Sequence, residues 1–86
     1  MPANPQLMIP ASVETVAGHT FPVTVSDLCD RRCRIMRPLA VSLLGMSIQL
    51  WLGAIGPLRA HLSPYARTLL LFDYPIHRAV VAHFNV

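Results

Sequence analysis

The run from Leu39 to Leu58 constrains this chain most, because its twenty residues include no ionisable side chain. Arg59 follows the run, and four arginines precede it closely: Arg31, Arg32, Arg34 and Arg37. At about 1.5 Å rise per residue, a helix of this length spans roughly 30 Å, the hydrocarbon thickness of a bilayer. The run therefore predicts a transmembrane helix over residues 38–57, ending at the stop signal Gly56-Pro57.

The composition favours the same interpretation. Hydrophobic residues make up 53% of the chain and charged residues 13%, about half the usual quarter of a soluble protein. Four acidic and seven basic residues could hardly cover the surface of a soluble monomer of this size. This balance predicts contact with lipid or with partner chains. Aromatic residues do not interleave with the arginine cluster, so a nucleic-acid partner is not expected.

The predicted fold class is an all-α membrane protein with a single transmembrane helix. An extended, proline-rich N-terminal arm is predicted over residues 1–25, because proline fixes φ and removes a backbone donor. Ser26-Asp27 is a good helix start, which predicts a short basic interfacial helix over 26–37. After the span, residues 58–86 are expected to form short amphipathic surface or interfacial helices, including one over Ile76–Phe84.

Small and polar residues recur along the predicted span at helical spacing. They are Ser42, Gly45, Gln49, Gly53 and Gly56, which would share one face of a helix. Small residues allow another backbone to approach, and the Gln49 amide could then bond across the two helices. The pattern predicts a stripe for packing on a partner helix; the alternative is that the spacing is accidental.

The arginines suggest lipid contacts and an orientation. Arg31, Arg34, Arg37 and Arg59 flank the predicted span and are candidates for phospholipid headgroups, including cardiolipin. More arginine before the span than after it places the N-terminal side in the bacterial cytoplasm, the mitochondrial matrix or the stroma. The first apolar stretch is too short for a cleaved signal peptide, and the first thirty residues contain no arginine.

Cysteines and histidines offer little chemistry. Cys29 and Cys33 would lie on the same side of a helix, where apolar packing is favoured over a disulfide or a metal ligand. His61 follows the span, but a second histidine for haem ligation is not near it. The four acidic residues are scattered, and neither a catalytic triad nor a phosphate-binding loop is present. We expect no enzyme activity, no cofactor and no metal.

These inferences predict a non-catalytic accessory subunit of an energy-transducing membrane complex. The mitochondrial inner membrane is favoured, with a respiratory-chain complex or ATP synthase as the partner and the N-terminal side in the matrix. Three alternatives stay open. They are a small photosynthetic-complex subunit with a pigment near His61 or Gln49, a reversible single-pass regulatory protein, and an interaction module buried in a large soluble assembly.

Overall fold

A computed structural model describes residues 8–84 of the chain. Those residues form six strands and one short helix: β1 Ile9–Thr15, β2 Thr20–Ser26, β3 Arg32–Ile35, β4 Ile48–Leu52, β5 Ile55–Ser63, β6 Ala66–Phe72 and α1 Arg78–Phe84. All neighbouring strands are antiparallel, and they close into a barrel in the order β1-β2-β3-β6-β5-β4. Within the described part of the chain, no helix is long and apolar enough to cross a membrane.

The core lies inside the barrel and is built by alternation along each strand. In β4, Ile48, Leu50 and Leu52 are at most 1% exposed, whereas Gln49 and Trp51 between them are half-buried. Successive side chains of a strand point to opposite faces, so every second residue of β4 faces the interior. Val13 of β1 and Leu70 of β6 are completely buried in the same cluster.

Both ends of the barrel are covered by chain segments. β3 and β4 lie opposite each other in the ring, so residues 36–47 must pass over one end to connect them. This crossover, as we call residues 36–47, contains a 3-10 turn at Val41–Leu43 and buries Leu39 in the core. At the other end, the Ile76 N–H donates to Asp30 O at 2.8 Å and α1 packs on the core.

The transmembrane helix predicted over residues 38–57 is wrong. Residues 38–47 belong to the crossover. They are followed by β4, a two-residue turn at residues 53–54 and the start of β5. Leu39 and every second residue of β4 are buried inside the barrel, which explains why these positions are apolar. The residues between them in β4, Gln49 and Trp51, are also uncharged. Gly45 and Gly53 have φ of +78° and +63°, a conformation for turns that glycine adopts readily.

The predicted all-α fold class is also wrong, and so are most of the other predicted helices. Residues 26–37, predicted as a basic helix, comprise the last residue of β2, a turn, β3 and the first two residues of the crossover, and residues 66–72 form β6. The N-terminal arm predicted over 1–25 contains β1 and all but the last residue of β2, and its first seven residues lie outside the described part of the chain. One short C-terminal helix is present at Arg78–Phe84. Strand pairing, which depends on residues distant in sequence, outweighed the local helix-start signals.

Gly56 offers a test of local packing at the start of β5. Its φ is +152°, and a Cβ placed there would lie 2.9 Å from Leu50 O and 3.0 Å from Trp51 Cε3. Gly18 also has a positive φ, +87°, but no heavy atom lies within 4 Å of its Cβ position.

We expect Gly56→Ala to lower the free energy of unfolding by about 1–3 kcal/mol more than Gly18→Ala does. Both variants carry backbone strain, and only the Gly56 variant adds a steric clash. Urea unfolding followed by circular dichroism measures both. Equal losses would contradict the close packing of Trp51 on Gly56.

Candidate functional site

A groove of about 910 Å³ opens between β2 and the crossover. One wall comes from the β1–β2 hairpin, including Phe21 and Val23, and the other from Met36, Leu39 and Leu43. Eleven of the sixteen lining residues are apolar. The volume lies within the range of sites that hold ligands in proteins. The groove is therefore the candidate binding site of this fold.

The groove exists because β2 and β3 separate soon after they pair. Their register consists of Val25↔Ile35 and Ser26↔Arg34, and the Met36 N–H then donates to Thr24 O at 3.1 Å. Beyond that bond the chain turns away from the first half of β2, and Pro38 offers no N–H to continue the ladder.

The far wall of the groove is fixed on β6. The Leu39 N–H donates to Arg67 O at 3.1 Å, and Arg67 Nη1 donates back to Leu39 O at 3.0 Å. Leu39 itself is 7% exposed and belongs to the core. These contacts hold the crossover away from β2, so the groove is part of the folded structure.

The crossover also exposes large apolar side chains, and one of them, Met36, lines the groove. Met36 is 60% exposed, Val41 61%, Leu44 38% and Met46 43%. Single exposed apolar residues are ordinary, but a cluster of them marks a contact surface. None of the sixteen described lining residues is acidic, whereas Arg37 and His19 are among them.

Sequence reasoning missed this groove because its walls are distant in sequence. The alternation of Phe21, Val23 and Val25 is a usable strand signal, and Pro22 is compatible only with a strand at an edge of the sheet. In the structure β2 is paired along β1 but leaves its other side largely open towards the crossover. Pro22 and Pro38 have no N–H, and they are the sequence signal that β2 and the chain after β3 do not continue to pair.

The candidate lipid arginines do not form one cluster. Arg31 precedes β3, Arg34 lies on it, Arg37 is in the crossover and Arg59 is on β5. Arg34 Nε lies 3.6 Å from Asp27 Oδ2, with both side chains about half exposed. The four are exposed side chains of different elements, and Arg37 alone among them lines the groove.

The five residues predicted to form a stripe on one face of a helix do not lie on a helix. Ser42 lies in the 3-10 turn, Gly45 in the following turn, Gln49 on β4, Gly53 in the β4–β5 turn and Gly56 on β5. Gln49 pairs with Glu14 of β1 and with Arg59 of β5, and these three residues line a small polar depression on the outside of the barrel. Only Ser42 of the five lines the groove.

A histidine and a carboxylate also meet outside the groove. His61 Nδ1 lies 2.8 Å from Asp73 Oδ1, and both residues are partly exposed. A carboxylate can orient an imidazole for proton transfer, but nucleophilic catalysis needs a third group. Ser63 Oγ, two residues after His61, accepts the Tyr65 N–H at 3.1 Å. Among residues 8–84 no three His, Cys, Asp or Glu side chains are placed to hold a metal ion.

The two cysteines lie in different environments. Cys33 points into the core from β3 and is fully buried, while Cys29 is half-buried in the preceding turn. Burial raises the pKa of the Cys33 thiol from 9.0 to about 12, and the neighbouring Cys29 adds to the shift. Both are free thiols, and they do not share one face of a helix as predicted.

We expect a thiol reagent at mildly alkaline pH to modify Cys29 in the native protein and to leave Cys33 unmodified. The thiolate is the reactive form, and the raised pKa keeps Cys33 protonated as well as inaccessible. Mass spectrometry of peptides, with and without urea, measures both sites. Equal labelling of the two cysteines without urea would contradict the inward position of Cys33.

Comparison with known proteins does not assign this fold or its groove to a family. No family profile matches the chain, and no curated protein or solved structure does.

Proposed function

We propose that this chain is a non-catalytic protein-binding module, and that its groove holds an apolar segment of a partner protein. The observation that carries the proposal is the apolar groove, together with four exposed, large apolar side chains of the crossover, of which Met36 lines the groove. Burying such surface removes apolar area from water, which is the main favourable term in protein association.

Methionine supports a role in recognition. Met36 and Met46 are both exposed on the crossover. The unbranched thioether adapts to different partner shapes, and methionine is common on binding surfaces. Phe21 on the opposite wall adds an aromatic contact of the kind that dominates interface energetics.

The non-catalytic, subunit-like role expected from the sequence is kept here, and the membrane span is not. The low content of charged residues, 13%, has a second explanation in a small barrel that buries part of its surface against another chain. The alternative of an interaction module in a larger assembly is the one that the groove favours.

A photo-reactive amino acid at position 36 of the full chain, expressed in its native cells, tests the proposal. The matched control places the same amino acid at Tyr65, which is 95% exposed in the turn after β5. We expect an adduct from position 36 that maps to one contiguous apolar segment of one protein. Position 65 should not give that adduct.

A substitution in the groove wall tests whether the adduct depends on the groove. Leu43→Lys should abolish the adduct from position 36, because it places a charge on the partly buried far wall of the groove. Circular dichroism checks that this variant is folded. The same adduct from both positions, or an adduct unaffected in folded Leu43→Lys, would contradict binding in the groove.

A further inference from the structure

We propose that the segment bound in the groove is an acidic amphipathic helix. This inference rests on the proposed function and concerns the conformation and charge of the partner. Grooves in proteins bind peptides either as an added strand, which uses backbone hydrogen bonds, or as a helix, which uses side-chain contacts. The backbone and the charges of this groove distinguish the two.

On the β2 wall, the backbone cannot support a regular ladder. The pairing of Val13 with Phe21, and the bond from the Thr15 N–H to His19 O, turn the peptide groups of Phe21 and Val23 towards β1. The groups of Thr20, Pro22 and Thr24 therefore face the groove, since alternate residues of a strand bond to opposite sides. Pro22 has no N–H, and Thr24 O already accepts from Met36.

On the crossover wall, the backbone is equally unsuited to pairing. Pro38 has no N–H, and both the N–H and the O of Leu39 are bonded to Arg67. An added strand would find no free partner at Pro22 N, at Thr24 O or at Leu39, so several of its own donors and acceptors would stay unpaired, which costs free energy for each buried group. A helix satisfies its own backbone and needs from the groove only apolar contacts.

The charges favour an acidic partner. Arg37 and His19 line the groove, none of the described lining residues is acidic, and the chain has a formal net charge of +3. Arg37 is exposed and is in none of the ion pairs found within residues 8–84. Complementary charge at the edge of an interface steers association and excludes partners of like charge. Carboxylates beside an apolar stripe would meet Arg37.

Selection from a phage-displayed library of random peptides, long enough to form several helical turns, tests the inference. The target is the full chain, and folded Leu43→Lys is the counter-selection that removes peptides bound elsewhere. Groove-dependent peptides are those that bind the wild type and not folded Leu43→Lys. We expect them to have apolar residues at i, i+3, i+4 and i+7, with Asp or Glu between them.

Charge reversal tests the acidic part separately. We expect Arg37→Glu to weaken binding of the selected peptides about tenfold, by the effect of a charge pair at an interface. Arg59→Glu, on β5 and outside the groove lining, is the matched control and should change affinity less than about twofold.

The outcomes separate this inference from the proposed function. Groove-dependent peptides with strictly alternating apolar residues would overturn the helix and leave the protein-binding function in place. Groove-dependent helical peptides unaffected by Arg37→Glu would overturn the acidic partner. A selection that yields no peptide able to distinguish the wild type from folded Leu43→Lys would contradict the proposed function itself.

Discussion

Replacing Leu50 with alanine is expected to lower the free energy of unfolding by about 2–5 kcal/mol, the cost of removing a large side chain from a core. Leu50 is 0% exposed and lies in the middle of β4, with β1 on one side and β5 on the other. The cavity left behind would be lined by rigidly packed neighbours that can relax only in part. Urea unfolding followed by circular dichroism measures this loss.

Gln49→Ala is the matched control for Leu50→Ala. Gln49 is adjacent in sequence but faces outwards between Glu14 and Arg59, so its truncation should cost less than about 1 kcal/mol. A large loss at Leu50 with a small loss at the adjacent Gln49 is typical of a strand with one buried face. Equal losses at Gln49 and Leu50 would contradict that alternation.

Leu39→Ala is expected to destabilise the protein by a similar amount, about 2–5 kcal/mol. Leu39 is 7% exposed and is the residue through which the crossover enters the core. Its backbone bonds to Arg67 depend on the crossover remaining close to β6. The variant should therefore also loosen the far wall of the groove and weaken binding there.

Val41→Ala separates the two roles of the crossover. Val41 is 61% exposed, so its truncation should change the free energy of unfolding by less than about 1 kcal/mol. Thermal and urea unfolding of both variants provide the comparison. A Leu39→Ala variant as stable as Val41→Ala would show that the crossover does not cover the end of the barrel.

Part of this fold was present in the local sequence. The alternation of Ile48, Leu50 and Leu52 with Gln49 and Trp51 has the period of a strand, and Gly53 follows it where a turn is needed. The same residues also belong to a twenty-residue uncharged run of the length of a membrane span. The length of a run and its lack of charge do not show whether its buried residues follow a strand or a helix. In this run the period of the buried residues indicates the structure correctly, and the length of the apolar run does not.

The rest could not be derived locally. Closure of the barrel depends on β3 pairing with β6 and β1 pairing with β4, contacts between residues far apart in sequence. The groove depends on where β2 and β3 separate, which follows from Pro22, Pro38 and the bonds between Leu39 and Arg67 acting together. The exposed arginines indicated a charged surface without indicating which of them borders the groove.

We expect the side of the barrel between β2 and the crossover to bind protein. Amide chemical shifts of the ¹⁵N-labelled chain, recorded as the cross-linked or selected peptide is added, test it most directly. We predict that the largest changes fall in residues 19–24 and 36–43, with the outer faces of β3 and β6 unchanged. Changes centred on Arg32, Arg34 and Leu71, with the groove amides unaffected, would contradict it.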